Sequence, residues 1–417
     1  MTSSPAVRAA PAHWQAVLPP GRRFVALPSR RQPVVVAEED PSVLRYVRTS
    51  LLAAPPGSSL PGWVFGAARQ ALRLPVSWRL APHLRAPSGA AGRFDRLAAG
   101  HRLLVLRHSH DPDARILLLL FAPGCRWPRH AAKVSSDPAG AARVLREADR
   151  LRAIGALSLG PVRATVPEVV AVLSDHGSPA LVTTAVPGTP MLVGYHRRGH
   201  TSRPATVRAD FAAAGAWLAA FQSGTADGVA PLDLAPGVPE RLRHRLGARP
   251  DGGKRVQDQL AALRARLRRH QGPRTAVHGD FWPGNVLLDR GTVTGVVDWE
   301  WAEPAGSPVR DVARFVLTYS QYLAKHTPPG RQVHGHPGLL AGRPEAALVY
   351  ALDGEGWYPR LVRDFLHTGL RRLGMAPACA RDAVLAELAA VAAEATDRAF
   401  GEEQVRVFER LGGQVPS

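Results

Sequence analysis

The sequence predicts an α+β chain in which an antiparallel sheet carrying one helix is followed by a mostly helical half. Three observations lead there. Between His101 and Val186, short apolar runs broken by turn residues recur, with a single segment of helical period among them. Pro187-Gly188 ends that series, and from Ala205 to about residue 411 apolar residues return at spacings of three and four. One strand pair interrupts the helices, Val286–Leu288 and Val293–Val297, turning at Asp289-Arg290-Gly291.

Composition supports a folded chain. Of 417 residues, 45% are apolar and 21% charged, an ordinary balance for one large or two modest domains. Cys125 and Cys379 stand in unrelated contexts, so neither a disulfide framework nor a zinc site is expected. The longest apolar run, Ile116–Ala122, is far short of the roughly 20 residues a bilayer span needs. Met1–Pro20 has no basic start followed by an apolar stretch, so a soluble, cytoplasmic protein without a membrane span is expected. The net charge of +19 raises nucleic acid as a partner, but 50 arginines against three lysines, spread over helices and loops alike, look like coding bias. No specific nucleic-acid partner is expected, and the sequence sets no oligomeric state. In such a chain a lysine is conspicuous, because a compact ammonium does what a planar guanidinium cannot.

Residues 1–100 read as a partly ordered extension of unknown role, with 13 arginines against four acids, three tryptophans and one β-like run, Pro33–Val36. Residues 101–186 hold the sheet. Arg102–Leu106 and Ala114–Phe121 form a hairpin around the polar turn 108–113, and His130–Val134 is a third strand. Ser135-Ser136-Asp137-Pro138 then opens a helix over 139–155, with Ala141, Val144, Leu145, Ala148 and Leu151 as its apolar stripe and Glu147 at the edge. Val166–Leu173 and Ala180–Val186 complete five strands. Residues 187–417 are helical, with helices over 205–222 and 240–271, a short strand Thr275–Val277, the hairpin, and helices to the end.

The chemistry concentrates in His278-Gly279-Asp280-Phe281-Trp282-Pro283-Gly284-Asn285 and Val296-Val297-Asp298-Trp299-Glu300. Asp280, Asn285 and Asp298 are hard oxygen donors on a loop and at a hairpin end, as a magnesium-nucleotide site requires. Two protein ligands plus phosphate oxygens suffice for magnesium. With Asn285 and Asp298 on the metal, Asp280 is left to accept the proton of an attacking hydroxyl. His278 is read as structural, since Asp280 already supplies the base. His334 and His336, in a Pro/Gly-rich loop, read as a solvated pair, and Trp299 and Trp301 as alternating between core and cleft.

These residues resemble the aminoglycoside phosphotransferases and their choline-kinase-like relatives, whose signature is HGDxxxxN followed thirteen residues later by the aspartate of a DxE motif. Asn285 and Asp298 are thirteen apart, and the resemblance extends over roughly residues 100–400. It implies a bilobal protein-kinase-like fold with ATP and magnesium between the lobes. Asp280 would be the catalytic base, Asn285 and Asp298 the metal ligands, His278 and Glu300 supports of the site, and Asp311 the start of a helix bracing the loop. Lys133 on the third strand would hold phosphates, oriented by Glu147, and the connector Thr184-Ala185-Val186 would meet the adenine. One departure stands out: the turn 108–113, where a glycine-rich phosphate loop belongs, has no glycine and carries Asp111 and Asp113.

The implied reaction transfers the γ-phosphoryl group of ATP to a small-molecule hydroxyl on an aminoglycoside, sugar or amino alcohol. For a cationic acceptor the C-terminal helices offer Asp382, Glu387, Glu394, Asp397, Glu402 and Glu403. The rival is a catalytically silent nucleotide-binding or scaffold protein of the same fold. A protein kinase is disfavoured, because the motif is HGD rather than HRD and no APE-bounded segment follows Asp298.

Overall fold

The computed structural model describes residues 17–27, 29–30, 33–51, 78–79, 81–85, 98–106, 115–135, 137–173, 179–247, 249 and 253–413. The turn 108–113 lies outside them. The described residues within 1–52, 67–148 and 168–185 form one compact unit, and those within 149–167 and 186–417 form a second. The α+β class expected from the sequence holds, with the protein-kinase-like order of a sheet bearing a helix followed by helices around an inserted hairpin.

The first unit is built on one antiparallel sheet of eight strands: β1 (Arg23–Leu27), β2 (Val35–Glu38), β3 (His83–Arg85), β4 (Arg102–Leu106), β5 (Ile116–Phe121), β6 (His130–Val134), β7 (Val169–Leu173) and β8 (Ala180–Thr184). Their order is β3-β1-β2-β4-β5-β6-β8-β7. The sequence suggested five strands. The other three come from the first hundred residues, where β2 pairs with β4, Val36 opposite Val105. Alternation fixes both faces. Phe24, Val36, Leu103, Val105, Leu118 and Leu120 point into one apolar layer, while Ala37, Leu104, Leu106 and Phe121 meet Val43, Tyr46 and Val47 of α1 (Pro41–Tyr46) and the turn after it. Helix α2 (Pro138–Gly155) buries Val144, Ala148, Leu151 and Ile154. Its stripe therefore runs one step further round than expected, and Leu145, about 100° from Val144 on the helix, is 44% exposed.

In the second unit the strands are β9 (Thr189–Pro190), β10 (Asp227–Pro231), β11 (Gln271–Val277), β12 (Val286–Asp289), β13 (Thr292–Val296) and β14 (Glu303–Gly306). The helices are α3 (Met191–Tyr195), α4 (Pro204–Thr225), α5 (Val238–Leu246), α6 (Lys254–Leu267), α7 (Val309–Gln321), α8 (Ala346–Asp353), α9 (Trp357–Arg372), α10 (Ala380–Glu394) and α11 (Arg398–Gly412). The β12–β13 turn has Arg290 and Gly291 both at positive φ, the geometry of a two-residue primed hairpin turn. Helix α7 is buried along almost its whole length, with Phe315 and Tyr319 packed edge-on against Phe211 of α4. His336 is not solvated as the sequence suggested: it is fully buried, sends Nε2 to the Thr201 carbonyl and packs against Tyr350, Trp357 and Tyr358. A glycine-rich setting marked the loop as exposed, but the aromatic residues that cover it come from elements 14 to 22 residues further on. Among the described residues no helix is long and apolar enough to cross a membrane.

Candidate active site

Strand β11 delivers His278 into the interior, where its backbone N–H donates to Asp311 Oδ2 at 2.7 Å and that of Gly279 to Asp311 Oδ1 at 2.9 Å. Asp311 sits in the first turn of α7, so one buried carboxylate fastens the loop to the start of a helix. Burial pushes its carboxyl up to about 7, with the two amides and Arg310 opposing. The His278 ring bridges the loop to the hairpin: Nδ1 lies 3.2 Å from the Asp280 N–H and Nε2 3.0 Å from the Val297 carbonyl. That pattern assigns the proton to Nε2 and makes the ring a neutral spacer. Gly279 stands at φ +81, and a Cβ there would lie 2.2 Å from the Trp301 carbonyl oxygen, so only glycine fits. Phe281 is buried, stacked on Trp217 with centroids 5.1 Å apart.

Asp280 is held at both carboxylate oxygens. Arg314, one turn beyond Asp311 on α7, donates to Oδ1 from Nε at 3.0 Å and Nη2 at 2.6 Å, and Asn285 Nδ2 donates to Oδ2 at 3.0 Å. The Asp280 side chain stays about 21% exposed despite these partners. Burial raises its carboxyl above the ordinary aspartate range; Arg314 works against the rise, Asp298 adds to it, and the Asn285 bond opposes it. Arg314 is itself backed by Glu387 of α10 at 3.1 Å, with Glu394 at 4.0 Å, and Glu387 also lies 3.5 Å from Arg310. The guanidinium pKa is raised accordingly, and burial pushes Glu394 up to about 7.

Asn285 spends its amide on Asp280, at both Oδ2 and the backbone carbonyl, and its own carbonyl accepts from the Val297 N–H. Its side-chain Oδ1 has no hydrogen bond among the described residues and is the atom that suits a hard cation. Asp298 follows β13 at φ +70, a left-handed conformation that few non-glycine residues adopt and that asparagine and aspartate tolerate better than most. Its charge reaches Asp280, and Glu300 two residues on is buried. Among the described residues no three His, Cys, Asp or Glu cluster tightly enough to hold a metal alone. An amide oxygen and a carboxylate are a donor set that fits magnesium when phosphate oxygens complete the shell.

In the first unit, Lys133 on β6 lies between Leu117 and Leu181 in the register of the sheet and reaches both carboxylate oxygens of Glu147 on α2, at 2.5 and 2.7 Å. Arg115 approaches the same carboxylate at 3.6 Å. The connector is more constrained than the sequence suggested. The Thr184 and Ala185 amides donate to the Glu168 and Arg129 carbonyls, the Thr184 hydroxyl accepts from the Glu168 N–H, and the Val186 side chain is buried against Gly295. The Thr184 and Ala185 amides are thus spent within the unit and are not offered to a base.

The structure thus brings together His278, Asp280, Asn285 and Asp311 in one unit and Lys133 with Glu147 in the other. Sequence reasoning missed Arg314 and the backing role of Glu387. One signal was there: Asp311 and Arg314 are three apart on α7 and share the face turned to the loop.

No curated protein matches the chain. Among solved structures it is similar to a thermostable mutant of aminoglycoside phosphotransferase APH(4)-Ia in ternary complex with ADP and hygromycin B, at 15% identity and TM-score 0.48, covering 77% of this chain and 97% of that one. It is also similar to ADP-bound APH(2'')-Ib (13%, TM-score 0.41, 74% and 93% covered). APH(3'')-Id from Streptomyces rimosus is a third (15%, TM-score 0.39, 76% and 95% covered). The profile of the phosphotransferase enzyme family matches residues 86–348, the span that contains Lys133, Glu147, the loop His278–Asn285, Asp298 and Asp311, and the chain belongs to that family.

Proposed function

We propose that this chain is a small-molecule kinase that moves the γ-phosphoryl group of ATP to an alcohol. The reading is carried by Asp280, a carboxylate fixed at both oxygens on a loop braced by Asp311, partly exposed and with its proton affinity raised by burial. In the reaction the acceptor oxygen forms a bond to the γ-phosphorus, the bond from that phosphorus to the bridging oxygen of ADP breaks, and the acceptor proton passes to Asp280. Asn285 Oδ1 and Asp298 would hold magnesium, which when bound neutralises phosphate charge. Lys133, kept in place by Glu147, would hold the nucleotide phosphates, and the carbonyls of Thr184 and Ala185 with the Val186 amide would meet the adenine. His278, Glu300 and Asp311 shape the loop. A cytoplasmic location, where ATP is available, goes with this function.

The test is ATP consumption with magnesium against a panel of aminoglycosides, sugars and amino alcohols, run beside Asp280→Asn. Acceptor-dependent turnover is expected to fall by about 10²–10⁴-fold in the variant while nucleotide binding persists. Turnover unchanged in Asp280→Asn would overturn the assignment.

A further inference from the structure

The acids that the sequence offered to a cationic acceptor are already engaged. Asp382 holds Arg266 through both carboxylate oxygens, at 2.9 to 3.2 Å. Glu387 backs Arg314, and Glu394 lies 3.7 Å from Arg241. Asp397 caps α11 at the Phe400 N–H, and Glu402 pairs with Arg398 on the same helix. Each anticipated charge but that of Glu403 is thus matched by an arginine or spent on a helix end.

What stands beside Asp280 is different in kind. Trp282, two residues along the loop, packs against Tyr322 at the end of α7 with centroids 6.1 Å apart and planes tilted by 30°. Burial raises the Tyr322 phenol, with the charge of Asp280 adding to the rise and Arg314 opposing it. Lys325 places Nζ 4.8 Å from the Tyr322 ring centroid, and His196, just after α3, packs edge-on to the same ring at 6.5 Å. His326 Nε2 lies 3.2 Å from His196 Nδ1, while the buried His196 Nε2 has no hydrogen-bond partner among the described residues. Trp282, Tyr322, Lys325 and His196 are each partly exposed and His326 is exposed. All five side chains belong to the second unit, as does Asp280.

The charge of this wall follows from its neighbours. Burial lowers the His196 imidazole to about 4, with His326 and Lys325 adding to the effect, and His326 is lowered too, so both rings are neutral at pH 7. Lys325, lowered to about 8 by burial, remains mostly cationic there. Among the described residues no carboxylate hydrogen-bonds or forms an ion pair with these five side chains. A polycation would meet a like charge at Lys325 and find Asp280 already paired with Arg314. A hydroxylated ring meets aromatic surface for its C–H face, the exposed His326 ring, braced by His196, for its hydroxyls and an ammonium for any acid group.

Resting on the phosphotransferase reading, we propose that Trp282, Tyr322, His196, His326 and Lys325 form the acceptor subsite, and that it takes a hydroxylated ring compound without positive charge, a sugar or sugar acid. The full chain is assayed for ATP consumption with neutral sugars, sugar acids and polycationic aminoglycosides, in the parent and in Lys325→Gln, Tyr322→Ala and Asp280→Asn. Sugars or sugar acids are expected to be turned over and aminoglycosides not. Tyr322→Ala should raise KM for every sugar used. Lys325→Gln should raise KM for sugar acids by about 10-fold and leave neutral sugars within about 2-fold, a contrast between substrates that misfolding would not produce. Aminoglycoside turnover that is lost in Asp280→Asn but indifferent to Lys325→Gln and Tyr322→Ala would overturn the subsite and leave the kinase reading standing. Absence of turnover with every sugar and sugar acid also overturns it, and absence of Asp280-dependent ATP consumption under any condition removes the kinase reading and the subsite with it.

Discussion

Arg314 meets Asp280 with two guanidinium nitrogens on one carboxylate oxygen, Oδ1, while the other oxygen is left to Asn285. Rotation of the carboxylate is therefore blocked from both sides, and Oδ2 is the oxygen with capacity to take a proton from an incoming hydroxyl. The arginine does not neutralise Asp280 alone, because Glu387 draws on the same guanidinium. Proton affinity at Asp280 is thus set by a competition between two carboxylates 107 residues apart in sequence for one cation.

That competition has opposite consequences for two substitutions. In Arg314→Leu the cation that lowers the Asp280 pKa is gone, so the acid limb of kcat/KM should move to higher pH, with kcat down by about 10²-fold from lost positioning. In Glu387→Gln the arginine is released from its rival and a carboxylate that disfavours Asp280 ionisation is removed, so the limb should move to lower pH. The pH–rate profiles of the two variants check this, and shifts of the same sign would refute the competition.

Gly279→Ala tests the loop itself. Positive φ costs a non-glycine residue roughly 1–3 kcal/mol, and here the new methyl would also press on the Trp301 carbonyl, a backbone atom that cannot swing aside. Denaturant titration should show a loss of at least about 2 kcal/mol, together with loss of turnover.

These residues differ in how far the sequence announced them. The loop and hairpin end were legible because their chemistry is local: eight consecutive residues and one fixed spacing carry the donors, and the turn residues between them have no other use. Asp311 was reached only through the family resemblance, since the loop amides it holds lie 32 and 33 residues away. Arg314 was not legible, since it is one of 50 arginines and its partners lie 34 and 73 residues away. Of the first three strands only the run Pro33–Val36, overlapping β2, was noticed; β1 and β3 escaped because they are five and three residues long and set among arginines and prolines, so their place is decided by pairing rather than by their own periodicity. The acids of α10 were visible as residues but not as partners, and a charge count could not reveal that arginines distant in sequence had claimed them.

Asp311 makes stability depend on pH with a defined sign. Its folded pKa of about 7 stands above the ordinary aspartate value of about 3.8, so between about pH 4 and pH 7 the native state binds more protons than the unfolded one. Its contribution is therefore fully present below about pH 4 and is lost as pH rises to about 7. Asp311→Asn removes that slope and replaces one accepting oxygen by a donor facing a backbone N–H, at a cost of about 1–3 kcal/mol. Urea midpoints at pH 5 and pH 8 should differ less in the variant than in the parent, and equal differences would show that Asp311 does not titrate in this window.

The pair Lys133–Glu147 is predicted to be asymmetric. The Lys133 side chain is 20% exposed, that of Glu147 only 3%. Glu147→Ala leaves an ammonium that can turn to water, at a cost of about 0–1 kcal/mol. Lys133→Ala removes the nearer cation from a buried carboxylate that Arg115 approaches at 3.6 Å, at a cost of about 1–3 kcal/mol. Nucleotide affinity should order the other way in cause: Lys133→Ala removes a phosphate contact outright, while Glu147→Ala keeps the ammonium and loses only its orientation, so the former should weaken ATP binding more. Thermal melts with and without ATP measure both effects at once. A Glu147→Ala chain that melts lower than Lys133→Ala would mean that Arg115 takes over the carboxylate fully and that Lys133 is held by other contacts.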